Sequence, residues 1–236
     1  MKKDNKVSLE KPMFPMRINK YLALQKHSTR RGADLLIADR KVFINGRLAV
    51  LGDKVMESDK VEVKFRGVQK PYIYLAYHKP RGLMTEEIGV KEGDAPVFPI
   101  GRLDKDSEGL IILTNDGRVT ERLLRPAQAH EKEYLVRTKN TLRSSFKNKM
   151  EAGVQIDKEK TSKCKVKILD EHTFRIILTE GKKHQIRRMC DALFQEVQDL
   201  KRVRVANIEL GNLPTGSHRT ISGPELHTFL HSLDLA

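Results

Sequence analysis

Two apolar runs, "YIYLAY" at 72–77 and "LIILT" at 110–114, most constrain what this chain can fold into. A strand with one wet face alternates apolar and polar residues. An unbroken run bounded by turn residues is covered on both faces. Both runs therefore belong inside a sheet with layers on either side. The second is preceded by "PIGRLDKDSEG", where Asp104 stands between Arg102 and Lys105 just before the chain turns inward. An acid in that place is either a turn former or a group kept for chemistry.

The remaining pattern places elements along the chain. Residues 1–15 read as a disordered, Lys-bearing arm ending at Pro12 and Pro15. Residues 16–66 read as a small α/β module. In its first helix Ile18, Tyr21, Leu22 and Gln25 share a face, Thr29 can cap the second, and Ala33, Leu36 and Ile37 point inward. A hairpin at Asn45-Gly46 and an alternating strand, "DKVEVKF", follow. Residues 67–71 are a linker and 72–236 a second, larger domain. There "GRVTERLLRP" is a helix stopped by Pro126 and "KEYLVRT" a strand. "TLRSSFKNKMEAG" is a helix closed by Gly153, and "CKVKIL" and "TFRIILTE" are strands joined by "DEHT". "KHQIRRMCDALF" is a helix whose apolar face, Ile186, Met189 and Leu193, runs on to Val197. "VQDLKRVRVANIEL" is mostly strand, and Ser222 with Glu225 has the spacing of a capping box. Many strands and few helices, without strict βαβ alternation, predict an α+β fold with a largely antiparallel sheet flanked by helices.

Charge narrows the partner. The 236 residues carry 45 Lys and Arg against 31 Asp and Glu, a formal net charge of +14. The first 70 residues hold +9 of it and the remaining 166 hold +5. A basic front end points to a polyanion, most simply nucleic acid. The two cysteines, Cys164 and Cys190, have no metal-ligand spacing, which argues against a metal site and suits a reducing cytosol. No segment reads as a signal peptide or as a span across a bilayer.

Three side chains stand out as candidates for chemistry, and each has a plainer reading. Asp104 is a catalytic acid or a turn carboxylate paired with Arg102 or Lys105. A glycosidase-like pairing with Asp106 or Glu108 is a further option. Arg187, in "GKKHQIRRMC", is an ion-pair partner for Asp104 or an i,i+4 partner for Asp191. Tyr134, in "HEKEYLVRT", is a stacking face for a base or ordinary strand core. Lys182, Lys183 and Arg188 would hold phosphates or simply solvate a helix start. His130 and His184 lack metal-ligand companions and read as structural.

Taken in order, "GRLDKDSEGLIILTNDG", "KEYLV" and "EGKKHQIRRM" resemble the three signature motifs of the RsuA/RluB/RluF type of pseudouridine synthase. Residues 17–64 resemble the small RNA-binding module shared by a ribosomal small-subunit protein and tyrosyl-tRNA synthetases. The resemblance implies an isomerase that converts a uridine of ribosomal RNA, most simply of the large subunit, to pseudouridine. The glycosidic bond breaks, the uracil rotates and a carbon–carbon bond forms, so no cofactor is implied. The target must leave its stack.

In that reading Asp104 is the essential acid, acting as nucleophile or base at the ribose. Arg102 fills the place of the extruded nucleotide, Tyr134 stacks on the uracil and Arg187 pairs with the acid. Ile186 and Leu200 help close the pocket. Arg17, Lys20, Arg30, Arg31 and Lys41 would grip RNA beside Lys182, Lys183 and Arg188. The chain departs from the family pattern at Lys26 and Arg40, where Gly is usual, at Thr29, where Ser is usual, and at Phe194-Gln195, near a common Gly. A cytoplasmic monomer acting on RNA is expected. Two readings from other classes remain: a non-catalytic RNA-binding protein of ribosome assembly on a degenerate synthase fold, and an RNA N-glycosidase that would release free uracil.

Overall fold

The computed structural model describes residues 14–25, 27–28, 30–64, 71–92, 95–125 and 129–236. The chain divides into two units, 1–69 and 70–236. The expected arm (apart from Phe14 and Pro15), the Thr29 cap, Lys26, most of the linker and Pro126 lie outside the described residues, as does the Arg31 side chain.

In the first unit β1 (Met16–Arg17) leads into α1 (Ile18–Leu24), then α2 (Arg30–Ala38). Ile18 and Leu22 of α1 meet Ala33, Leu36 and Ile37 of α2 in one core. Gln25 is not part of that face; it is the exposed residue that ends α1. β2 (Val42–Ile44) and β3 (Arg47–Leu48) form the hairpin, followed by β4 (Lys54–Val55) and β5 (Val61–Val63). The sheet order is β3-β2-β5, and β1 pairs with β4. Asn45 and Gly46 both take positive φ, 51° and 80°, as a two-residue turn matching strand twist requires. Arg40 stands left-handed, φ 58°, just past α2. This is the conformation for which glycine is the usual choice.

The second unit is built on a nine-stranded sheet. Its strands in chain order are β6 (Tyr74–Lys79), β9 (Phe98–Ile100), β10 (Glu108–Thr114), β11 (Lys132–Thr138), β14 (Lys165–Ile168), β15 (Thr173–Leu178), β16 (Val197–Val205), β17 (Ile208–Glu209) and β18 (His218–Thr220). Two small ladders, β7 (Lys91–Glu92) with β8 (Ala95–Pro96) and β12 (Gln155–Ile156) with β13 (Glu159–Lys160), lie outside it. The spatial order is β14-β15-β11-β16-β10-β6-β18, with β17 beside β16 and β9 beside β10. Every pairing is antiparallel except β10 with β16. The α+β class and the mixed, mainly antiparallel sheet are as the sequence predicts.

From Tyr74 on, the apolar runs are buried on both faces, as expected; Tyr72 is exposed and the strand begins after it. On one side of β6 and β10, Tyr74, Ala76, Leu110 and Ile112 pack with Val119 and Leu123 of α3 (Gly117–Leu124) and Phe229 of α6 (Gly223–Ser232). On the other, Leu75, Tyr77, Ile111 and Leu113 pack around Leu103. A third cluster joins β11, β14, β15 and β16 to α4 (Phe146–Glu151) and α5 (Gln185–Ala192), with the Phe146 and Phe174 rings edge-on at 5.0 Å. Gly109 lets β10 and β16 approach. Its φ is +113°, and a Cβ there would lie 2.3 Å from the Arg202 carbonyl oxygen.

Several local expectations change. α4 starts at Phe146, because the chain before it is engaged by Lys139 N–H to Glu196 O and Leu142 N–H to Glu171 O, which prolong the β11 pairing. Val197 does not extend the apolar face of α5; it opens β16, after the helix has closed at Ala192. Ser222 precedes α6 without a side-chain cap. Glu225 is drawn instead into a two-pronged ion pair with Arg219 at 2.6 and 2.7 Å. That geometry outcompetes a single bond to a backbone N–H.

Candidate active site

The acid sits on a loop fastened at its backbone. After β9 the chain turns at Gly101 (φ 72°) and sends Leu103 into the core. The Thr85 hydroxyl accepts from Leu103 N–H at 3.1 Å and donates to Leu103 O at 2.8 Å. Asp104 O accepts from Ser107 N–H at 3.0 Å and closes a turn.

Two buried cations brace this loop. Lys79, at the end of β6, is fully buried. Its ammonium donates to Pro80 O (2.9 Å), Leu83 O (2.6 Å) and Lys105 O (3.4 Å). Burial holds its pKa below the usual lysine range, opposed by the carboxylates of Asp104 and Asp106. Arg202, also buried, donates through Nε to Leu110 O at 2.7 Å and through a terminal nitrogen to Arg102 O at 3.4 Å.

The facing wall is the start of α5. Gln185 is buried, donates to Glu180 at 2.6 Å and accepts from Lys182 N–H at 2.9 Å, which fixes the helix entry. His184 is held left-handed, φ 51°, immediately before the helix. Its Nε2 lies 3.5 Å from Asp104 Oδ1, an ion pair when the ring is protonated. One turn on, the Arg187 guanidinium donates to Asp106 O at 3.2 Å and Val197 O at 3.4 Å.

The third wall is Tyr134, half-buried on β11 between Ile176 and Arg202, next to a shift of register at Glu133/Tyr134. It packs against the cluster of Leu103 and also against the cluster of Ile186 and Leu200. The structure thus groups Asp104, Tyr134, Arg187, Ile186 and Leu200 around one region of the second unit.

The expected Arg187–Asp104 ion pair is absent, as is an Arg187–Asp191 pair. Arg187 does reach the acid's loop, but at a backbone carbonyl, where two converging segments leave acceptors to be satisfied. Nor is the carboxylate sealed by the apolar run behind it. The Asp104 side chain is 37% exposed, so water still solvates its charge.

Other assignments shift too. Arg102 is 77% exposed and touches Glu86 at 3.4 Å. Glu108 pairs with Lys201 at 3.4 Å. Lys182 pairs with Glu159 at 2.6 Å and Arg188 with Asp157, so both are tied to the β12–β13 hairpin. Lys183 is exposed. In the first unit Arg17, Lys20 and Arg30 line one cavity of about 550 Å³ with Phe14, Pro15, Met16 and Asn19, while Lys41 pairs with Asp39 at 2.7 Å.

Sequence reasoning missed Lys79, Thr85 and Arg202, and set His184 aside as structural. A Lys at the end of an apolar run, directly before Pro80, was the one available signal. The cysteines take no part: burial pushes the Cys164 thiol up to about 11 and that of Cys190 up to about 12. Among the described residues no three His, Cys, Asp or Glu side chains group as metal ligands, and no helix is long and apolar enough to cross a membrane.

The mixed sheet, with this acid on one loop and this aromatic on a central strand, has the fold of the pseudouridylate synthases. The RNA pseudouridylate synthase family matches residues 68–192, and a crystal structure of a pseudouridylate synthase superposes with a TM-score of 0.67 at 27% identity, covering 91% of this chain and 99% of that one. The chain belongs to the RNA pseudouridine synthases, and within them to the RsuA/RluB/RluF type. It is 40% identical over 227 residues to the dual-specificity RNA pseudouridine synthase RluF of Escherichia coli K12, covering 91% of this chain and 78% of that protein. It is 34% identical over 228 residues to the ribosomal large subunit pseudouridine synthase B of Bacillus subtilis 168, covering 89% and 93%.

Proposed function

We propose that this protein isomerises a uridine of ribosomal RNA, in the large subunit, with Asp104 as the acid that acts on the ribose of an everted nucleotide. One observation carries the assignment of the site: Lys79 and Arg202 reach the Asp104 turn at the Lys105 and Arg102 carbonyls, each at 3.4 Å, while among the described residues the carboxylate itself is approached by His184 at 3.5 Å and held by no Lys or Arg. A merely structural acid would be expected to cap a helix or hold a guanidinium, as Asp116 does with Arg118. The ribosomal target is supported by the name of the Bacillus relative.

Tyr134 stacks on the flipped uracil, with Ile186 and Leu200 beneath it. Arg187 positions the acid's loop through the Asp106 carbonyl. Arg102, exposed and lightly held, enters the gap in the RNA. Residues 16–66 act as an RNA-binding module, with Arg17, Lys20 and Arg30 on phosphates, and affinity falls steeply with salt. The protein works as a cytoplasmic monomer.

Tritium release from RNA labelled at C5 of uracil tests this. Wild type releases tritium from ribosomal RNA that lacks the modification. Asp104→Asn releases none above background and binds that RNA within about twofold of wild type. Retained activity in Asp104→Asn defeats the assignment. Free uracil in the products would mark an N-glycosidase, and an inert wild type would favour a binding protein.

A further inference from the structure

The C-terminal end of α5 carries a feature the isomerisation does not use. Phe194 N–H donates to Asp191 O and Gln195 N–H to Cys190 O, both at 2.9 Å. This pair of bonds is a Schellman turn, which holds the residue between in the left-handed region and favours glycine there. Here that residue is Phe194, with φ 60°. No burial compensates for it. Phe194 is 75% exposed, more than any other large apolar residue described. An aromatic ring kept both strained and wet is not explained by folding.

A cation lies over it, while the neighbouring Lys139 is paired with Glu196 at 2.5 Å. The Arg143 guanidinium lies 5.7 Å from the ring centroid, within cation–π range. Residues 137–149 hold five Lys or Arg and no acid. That segment is fixed to the turn by Lys139 N–H to Glu196 O at 2.9 Å and by the buried Gln195 side chain to Thr141 O at 3.3 Å. The ring is thus mounted on firm backbone. It stands at the opposite end of α5 from His184, about 12 Å away at the rise of a helix.

We infer that Phe194 is a stacking platform for an unpaired base of the substrate RNA, a few nucleotides from the one at Asp104, with Arg143 and its neighbouring cations on the phosphates. A protein-docking face would need a contiguous apolar patch. A lone exposed ring beside a guanidinium, on a segment with five Lys or Arg and no acid, suits single-stranded RNA, whose bases stack and whose backbone is anionic. The inference rests on the reading that this protein acts on RNA, and it adds a contact outside the catalytic cleft.

The chain has no tryptophan, so Phe194→Trp in the full-length protein gives a single fluorescent reporter. Titration with an oligouridylate and with a ribosomal RNA fragment should quench it by more than about half, as base stacking does. Phe194→Ala and Phe194→Gly should raise the Kd for the fragment, and the KM for tritium release, roughly tenfold, with kcat within about twofold. Phe194→Tyr should restore both. The Gly variant suits the left-handed turn, so its unchanged or higher Tm separates lost contact from lost folding. Unquenched fluorescence, or Kd and KM unmoved in the Ala and Gly variants, overturns the proposal. So does a loss confined to association with ribosomal proteins. If no RNA releases tritium, the enzymatic reading fails alone, because quenching and Kd still decide this one.

Discussion

Lys79→Met replaces the buried ammonium with an apolar chain of similar volume. The Lys105 carbonyl keeps its bond from Gly82 N–H at 2.8 Å. The Pro80 and Leu83 carbonyls lose the donor that reached them at 2.9 and 2.6 Å. Each buried acceptor left unpaired costs about 1–3 kcal/mol. Relief from burying a charge offsets part of that. The expected net loss is about 2 kcal/mol, or roughly 4–8 °C in the Tm of the second unit. Activity should fall further than binding, because the freed 80–83 turn is the one bonded to the Asp104 loop through Gly82 N–H and Lys105 O: kcat down roughly tenfold or more, with Kd for RNA nearly constant.

The pH dependence has a definite sign. Folding lowers the pKa of Lys79, so in the window below the usual lysine value the unfolded chain binds more protons. Wild-type stability, measured against Lys79→Met, should therefore rise as pH climbs through that window and stay flat below it. Denaturation series at neutral and alkaline pH, with single-turnover tritium release, provide the test. A variant with unchanged Tm and unchanged kcat would refute the idea that this ammonium holds the loop.

Gly109→Ala brings a Cβ to 2.3 Å from Arg202 O at a φ of +113°; it should cost more than about 4 kcal/mol or prevent folding, read by circular dichroism and soluble yield. His184→Ala removes a half-exposed neighbour 3.5 Å from Asp104; a pair of that kind contributes about 0.2–1 kcal/mol, so kcat should fall only about two- to fivefold, far less than in Asp104→Asn. A fall as large as that of Asp104→Asn would make His184 a direct participant in the chemistry.

Periodicity carried far in this chain. The unbroken runs at 72–77 and 110–114 marked β6 and β10, buried on both faces, and Asn45-Gly46 marked its hairpin. These signals are local and follow from side-chain type. Partners were harder to read. Arg187 could be seen to need an acceptor, but sequence does not distinguish the Asp104 carboxylate from the carbonyl two residues later. Ser222 and Glu225 had capping spacing, yet Arg219 offered Glu225 two bonds at once. Val197 continued an apolar rhythm across a helix end and became a strand. Lys79 was hidden because only the tertiary fold gathers three carbonyls around one ammonium.

The order of strands has a consequence for how this molecule is made. Among the described residues β16 is the strand that joins the β14-β15-β11 group to the β10-β6-β18 group in the sheet, and its ladder with β10 is Glu108↔Lys201 and Gly109↔Arg202. On a translating ribosome β6, β10, β11, β14 and β15 all emerge before this keystone does, and β17, β18 and α6 follow it. Arg202 comes with that keystone, so its bonds to the Leu110 and Arg102 carbonyls can close only once residues 197–205 have appeared.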